Sequence, residues 1–478
     1  MKFTHLLFFV FGLFTLPMNA QILELTPAFP TVNDVVTIVY DASEGNGALV
    51  GTNQVYCHTG VITTASTSPT NWLFVQGNWG QVDANVQMTN LGNNKHSITL
   101  DIDAFYGFPV NTTVLKLAFV FRNATGSVVG READGSDIYY DVYPVNGGLQ
   151  AAIFNPSQMP LLDLNQNFAF NAQANQPATL SLKEDGVLLQ TVPNALAINT
   201  NITASVPGTH VLLFEADNGT TVIKDSVYYT VNPPLTYQNP PAGTKNGVQM
   251  LNDSTALFQL YAPEKDHVYL VGDFNNWLPT GAFHMNCSAD STRWWLIVHG
   301  LQPGQAYGYQ YLITNQGKYA DPMSTLVLDP NNDPFINANT FPNLPAYPTG
   351  LTTGIVSVFY TTPSTYTWQN TSFTRPENKD LVIYELLVRD FVAARNYQTL
   401  IDTIAYLDRL GINAIELMPN FEFEGNESWG YNPSFHMALD KYYGTAQKFK
   451  EFVDTCHGRG IAVIIDMVLN HAFGQNPM

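Results

Sequence analysis

The sequence predicts a multidomain chain, with all-β sandwiches first and β-α-β-α-β units carrying a parallel sheet last. Three observations support this. Between residues 21 and 343, short alternating runs such as VVTIVYDAS and LSLKEDGVLLQ are punctuated by Gly, Asn and Pro, the pattern of half-buried antiparallel strands. From Asp380 onward the pattern changes: DLVIYELLVRDF, AIELMP and IAVIID are apolar runs of the kind buried in parallel sheets, and the segments between them carry apolar residues at helical spacing. At 478 residues the chain has room for roughly three or four domains. Only 12% of the residues are charged, and the formal net charge of −19 repels phosphate backbones, which argues against a nucleic-acid partner.

Residues 1–20, MKFTHLLFFVFGLFTLPMNA, combine an early lysine, an apolar core and a small residue at Ala20, the form of a secretory signal peptide. The apolar run falls short of the ~20 residues a membrane span needs, and Pro17 interrupts its end. No later stretch reads as a membrane span, so a secreted product, extracellular or at the cell surface, is expected. Residues 21–147 read as a β-sandwich. Its NWLFVQGNWG stretch places Trp72 and Trp79 close together with His58 just upstream; the tryptophans suit either an exposed platform for a sugar ring or a sandwich core. Residues 148–235 read as an Ig-like spacer with Asp185-Gly186 as a tight hairpin turn. Two Pro-Pro pairs, at 233–234 and 240–241, bracket a stiff linker. A further β-domain spans 245–343, and the Pro/Thr-rich stretch 344–379 reads as a linker. Cys57, Cys287 and Cys456 are scattered over separate segments and do not suggest a disulfide framework.

Residues 380–478 carry the α/β pattern. In YQTLIDTIAYLDRLG, Leu400, Ile404, Leu407 and Leu410 recur at helical spacing and Gly411 is the stop. In TAQKFKEFVDTCHGRG, Thr445 is the expected N-cap, Phe449, Phe452, Val453 and Cys456 form the apolar face, and Gly458 and Gly460 terminate it. The last run, IAVIIDMVLNH, ends in an acid, an amide and an imidazole. Enzymes built on (β/α)8 barrels carry their chemistry where parallel strands stop, which makes Asp466, Asn470 and His471 site candidates. Capping of a turn is the alternative for such residues.

The segments ELMP, SWGYNP and KYYGTAQKFKEFVDTCHGRGIAVIIDMVLNH together resemble the opening of the catalytic barrel of glycoside hydrolase family 13, the α-amylase family; DMVLNH matches its first signature, D-x-x-x-N-H. ALFQLYAPEKDHVYLVGDFNNWLP, followed by GLQPGQAYGYQYLITNQGKYADP, resembles a carbohydrate-binding module of family 48, which commonly precedes such barrels. VYCHTGV, NWLFVQGNWG and ADGSDIYYDV are more loosely similar to the starch-binding modules of bacterial amylases. The resemblance implies N-terminal all-β sandwiches, Ig-like or carbohydrate-binding, followed by the first units of a truncated (β/α)8 TIM barrel. It implies that Tyr431 stacks under a sugar, that Asp466 and His471 hydrogen-bond its hydroxyls, and that Trp72, Trp79, Trp277 and Tyr319 stack on glucan. Asn470 matches a structural calcium ligand of many α-amylases, with a plain cap as the alternative; calcium is the one cofactor raised. Gln310 stands where glycogen-binding modules tend to carry lysine, so the 245–343 module either binds glucan or only packs on the barrel.

A (β/α)8 barrel takes about 250 residues, and only about a hundred follow Asp380. Retaining glycosidases need two carboxylates about 5 Å apart. The family carries its nucleophile and acid/base on strands later than the third, so neither is expected in this chain, and Glu416, Glu422, Glu424 and Glu427 do not replace them by position. The expectation is therefore a fragment of a secreted, retaining α-glucan-active glycoside hydrolase, inert by itself, whose partners are starch, glycogen or maltooligosaccharides. A non-catalytic extracellular starch-binding protein with a vestigial barrel is the other reading.

Overall fold

The computed structural model describes residues 22–132, 135–156 and 160–478; the expected signal peptide lies outside the described residues. The chain divides into two units between Asn232 and Pro233.

In the first unit, a four-stranded sheet runs Leu23–Thr26, Val35–Asp41, Lys95–Asp101, Thr89–Gly92, and a five-stranded sheet runs Leu73–Gln76, Tyr56–Thr63, Val114–Arg122, Val129–Gly130, with Ile138–Asp141 also on Val114–Arg122. Alternation in VVTIVYD turns Val36, Ile38 and Tyr40 inward, where they share one core with Leu117, Phe119 and Phe121 of the other sheet. The Tyr40 and Phe121 rings stack 3.9 Å apart.

Residues 149–232 carry a second core built on Phe170, Leu180, Leu182, Leu212 and Phe214. The hairpin turn falls where the sequence places it, with Asp185 at φ 49° and Gly186 at φ 84°, as a two-residue hairpin turn of the favoured hand requires. The expected two-sheet Ig-like arrangement takes a different form, because six strands join into one hydrogen-bonded sheet. The cause is strand length. Asn167–Glu184 is 18 residues long and pairs with Ala151–Asn155 through its first half and with Gly208–Asp217 through its second.

In the second unit, one sheet of the 245–343 module runs Gly247–Asn252, Thr255–Tyr261, Arg293–His299, Asn286–Cys287, and the other runs Val268–Gly272, Ala306–Ile313, Val356–Tyr360, Val327–Leu328, with Gly317–Tyr319 at its side. Phe258, Trp294, Tyr309, Tyr311 and Phe359 form its core. Val356–Tyr360 corrects the linker expectation for 344–379: its alternating VSVFY is buried and pairs with two strands of the module. The rest of that stretch is not slack either. Tyr366 Oη and the Gln369 and Asn370 amides donate to the buried carboxylate of Asp454, and the Phe373 ring lies 4.0 Å from that of His457, nearly parallel to it.

The C-terminal segment forms a three-stranded parallel sheet, Ile383–Leu386, Ala414–Leu417, Ala462–Ile465. Its helices are Tyr397–Arg409, capped by Asn396, and Ala446–Gly458, capped by Thr445 as expected. Leu400, Ile404, Leu407, Phe452 and Cys456 turn inward, whereas Leu410 falls past the helix end and is exposed. The first strand is shorter than its apolar run, because pairing lasts only while Ala414–Leu417 lies opposite; Val388–Phe391 coils into a helical turn. The loop before the second helix is an antiparallel ribbon, Phe421–Phe423 against Pro433–Leu439.

Two measurements test this packing. Truncating the fully buried Phe452 to Ala is expected to cost ~3–5 kcal/mol in urea unfolding. Burial pushes the Asp454 carboxyl up, but its amide and hydroxyl donors outweigh that and hold it below the usual carboxylate range. A lowered folded value means stability that is full above the unfolded pKa of about 4 and is lost as pH falls through the folded value. Asp454→Asn should therefore lower stability at neutral pH and flatten the acid limb of the stability curve; an unchanged limb would show that the connector is not held by this charge.

Candidate functional site at the ends of the parallel strands

The site is assembled where the third parallel strand stops. The Asp466 amide still donates to the Leu417 carbonyl at 3.0 Å, which fixes the start of the turn on the sheet ladder. Its carboxylate accepts a 2.8 Å hydrogen bond from the Tyr431 hydroxyl, 35 residues away in sequence. His471 closes the group: its Nε2 lies 2.7 Å from the Tyr431 carbonyl oxygen, which can only accept, so Nε2 carries the proton. Tyr431, Asp466 and His471 are thus brought together, and the Tyr431 ring remains 42% exposed, enough to present a face.

Tyr431 sits at the tip of the ribbon. Gly430 beside it adopts φ 88°, and a Cβ there would lie 2.0 Å from the Pro419 carbonyl oxygen, so only glycine lets the tip fold back on the second strand. The Tyr431 hydroxyl is pushed up to about 12, chiefly by its bond to Asp466, then by burial and by the charges of Asp466, Glu385 and Glu416. It therefore stays protonated, a donor to the carboxylate.

Glu385 and Glu416 are the residues the sequence reading undervalued. They are register partners on the first two strands, and Ile464 on the third is the next partner, two residues before Asp466. Period-two alternation therefore puts all three acids on one face of the sheet. The signal was a glutamate at the same place in two apolar strands, YEL and IEL.

Asn470 is exposed, and among the described residues no three His, Cys, Asp or Glu side chains converge where a metal could sit. Calcium takes six to eight oxygens, of which the Asn470 amide would supply one.

The other expected sugar contacts separate. Trp277 is buried at 2% exposure, packed with Val271, Leu328, Val356 and Val358, and its Nε1 donates to Asp273 Oδ1 at 3.0 Å. That burial corrects the expected stacking role to a core role. Gln310 is fully buried too, donating to the Thr353 and Ile355 carbonyls. Tyr319 is 36% exposed, with its hydroxyl on the Gln316 carbonyl.

On the five-stranded sheet of the first unit, the His58 ring lies 6.0 Å from Trp72 and 5.3 Å from Trp79, edge-on to the latter. Trp79 is 46% exposed, and neither tryptophan belongs to the sandwich core. Behind them Arg122, fully buried, donates to the Asn78, Gln81 and Asn123 carbonyls and sets the loop that carries Trp79.

Residues 372–476 match the family model described as the catalytic domain of alpha amylase, and residues 245–332 match carbohydrate-binding module 48, the isoamylase N-terminal domain. Both matches support the resemblance of this region to glycoside hydrolase family 13 with a family 48 module in front. Residues 23–129 match a domain of unknown function. Among curated relatives, a malto-oligosyltrehalose trehalohydrolase of Arthrobacter ramosus is 29% identical over 215 residues, covering 45% of this chain and 32% of that one. Another, of Saccharolobus solfataricus, is 36% identical over 106 residues, 22% of this chain and 19% of the relative. A 1,4-alpha-glucan branching enzyme of Nitrosococcus oceani is 29% identical over 231 residues, 46% and 28%. The chain thus spans a third or less of the length of these family 13 relatives.

The contrast between two tryptophans can be measured. Trp277→Ala should cost ~3–5 kcal/mol in stability as a core truncation, while Trp79→Ala should stay within ~0.5 kcal/mol, both read by urea unfolding.

Proposed function

We propose that the chain is part of a secreted, retaining glycoside hydrolase that acts on the α-1,4 or α-1,6 bonds of starch- or glycogen-like glucans. The observation that carries this reading is the convergence of Tyr431, Asp466 and His471 at the ends of the parallel strands. A pyranose presents an apolar C–H face and an equatorial rim of hydroxyls. The Tyr431 ring offers the matching aromatic face. Asp466 offers an acceptor to the rim, with one oxygen already held by Tyr431 and so fixed in orientation. His471, steadied through Nε2, leaves Nδ1 as an acceptor for a second hydroxyl, and its main contribution is orientation. The relatives, a trehalohydrolase of malto-oligosyltrehalose and a branching enzyme of 1,4-alpha-glucan, are consistent with glucan as substrate.

In this reading the nucleophile and the acid/base belong to later strands, and the 478 residues bind glucan without cleaving it. The Trp72, His58 and Trp79 group favours glucan binding by the first unit as well, and with it the second reading of a non-catalytic extracellular starch-binding protein.

Titration of the purified chain with maltoheptaose tests both. Tyr431→Ala and His471→Ala should each weaken binding at this site by about tenfold, with no reducing ends released by any form. Cleavage by the parent chain would overturn the placement of the catalytic carboxylates, and undiminished binding in both variants would overturn the site. Retention of the binding in Trp79→Ala, measured by retardation in starch gels, would remove the first unit from the account.

A further inference from the structure

The module's turn at residues 329–335 reaches both halves of the sugar site, although no sugar-facing role falls to the turn itself. Its first contact is with the Tyr431 ribbon: Asn426 Nδ2 donates to the Asn332 carbonyl at 2.8 Å. Its second lies at the ribbon's base, where Lys441, 2% exposed, is ion-paired to Asp333 at 3.2 Å and to Glu422 on the opposite ribbon strand. Its third is with the segment just after His471: Gln475 Nε2 donates to Asp329 Oδ2 at 3.1 Å. Asp329 is itself held by the Asn331 amide and by Asn332 Nδ2, so it is a fixed acceptor and not a mobile surface acid. An apolar contact backs the polar ones, with Ala320 and Val327 of the module against Phe435 and Ala438 of the ribbon.

Tyr431 and His471 belong to different segments, which meet through His471 Nε2 on the Tyr431 carbonyl, the Tyr431 hydroxyl on Asp466, the Phe473 amide on the Pro433 carbonyl and Asn476 Nδ2 on the Ser434 carbonyl. Each such bond contributes only about 1 kcal/mol net, and all of them join the same two segments. The turn adds a third body attached to both. We propose that the 329–335 turn of the family 48 module is a brace for the sugar site, with Asp329, Asp333, Asn426, Lys441 and Gln475 as positioning residues that set the spacing of Tyr431 and His471. The module thereby takes part in recognising the sugar without touching it. This rests on the glucan-site reading above.

The test uses the 478-residue chain labelled with 5-fluorotryptophan, observing the fluorine resonance of Trp429, which is exposed on the same tip two residues from Tyr431 and is assigned with Trp429→Phe. Maltoheptaose is the probe. Asn426 and Gln475 lie at the margin of the contact, so Asn426→Ala with Gln475→Ala should leave the thermal unfolding of the module unchanged. The titration midpoint at Trp429 should rise about three- to tenfold. Gln475→Lys, combined with native Asn426, places a cation against Asp329 and should bring the midpoint back to within about twofold of the parent. A midpoint unchanged in the double variant, or a Gln475→Lys form as weak as Gln475→Ala, overturns the brace while leaving the sugar site standing. No response of Trp429 to maltoheptaose in the parent chain overturns the site reading itself, and the brace falls with it.

Discussion

A lysine buried between carboxylates holds the second unit's functional loop in place. Burial alone would push Lys441 down, but Glu422 and Asp333 outweigh it and keep the ammonium charged. Burial pushes Glu422 up in turn, and burial followed by the charge of Glu422 raises Asp440 well above its usual range, with Lys441 opposing both. Breaking a buried pair leaves an uncompensated charge, at a cost of ~3–5 kcal/mol, so the arrangement is hard to loosen piecemeal. Its consequence is geometric. Glu422 and Lys441 stand on the two sides of the ribbon, and everything at the tip, Tyr431 included, inherits its position from them.

The parallel sheet contributes the other fixed point. Strands in register place Glu385, Glu416 and Asp466 on one face, and the turn after the last strand delivers His471. Acids gathered on one face favour neutral, hydroxyl-rich ligands over anions. The Tyr431 hydroxyl, kept protonated by the same acids, is consistent with that preference.

Aromatic residues serve two different ends in this chain, and exposure separates them. Trp277 and Trp294 are buried and their indole N–H groups are satisfied within the module, so they stabilise the sheet stack. Trp79 stands over a fully buried arginine and keeps nearly half its surface open. An exposed indole on a loop pinned by buried hydrogen bonds is the arrangement in which a binding face costs little ordering entropy.

The sequence by itself determined the order of β and α/β segments, both long helices of the parallel-sheet segment with the Thr445 cap, and the Asp185-Gly186 turn, because these depend on local periodicity and on backbone preferences of single residues. It also pointed to Tyr431, Asp466 and His471, through the motif they share with a known family. Tertiary structure alone decided the rest. Whether Trp277 faces water or the core depends on which residues pack against it, and VSVFY becomes a module strand because Ala306–Ile313 offers a partner edge. The link between Asp329 and Gln475 spans 146 residues, and no local pattern encodes it. Periodicity reports which way a side chain leans from its own element; which distant element receives it is settled only when the chain packs.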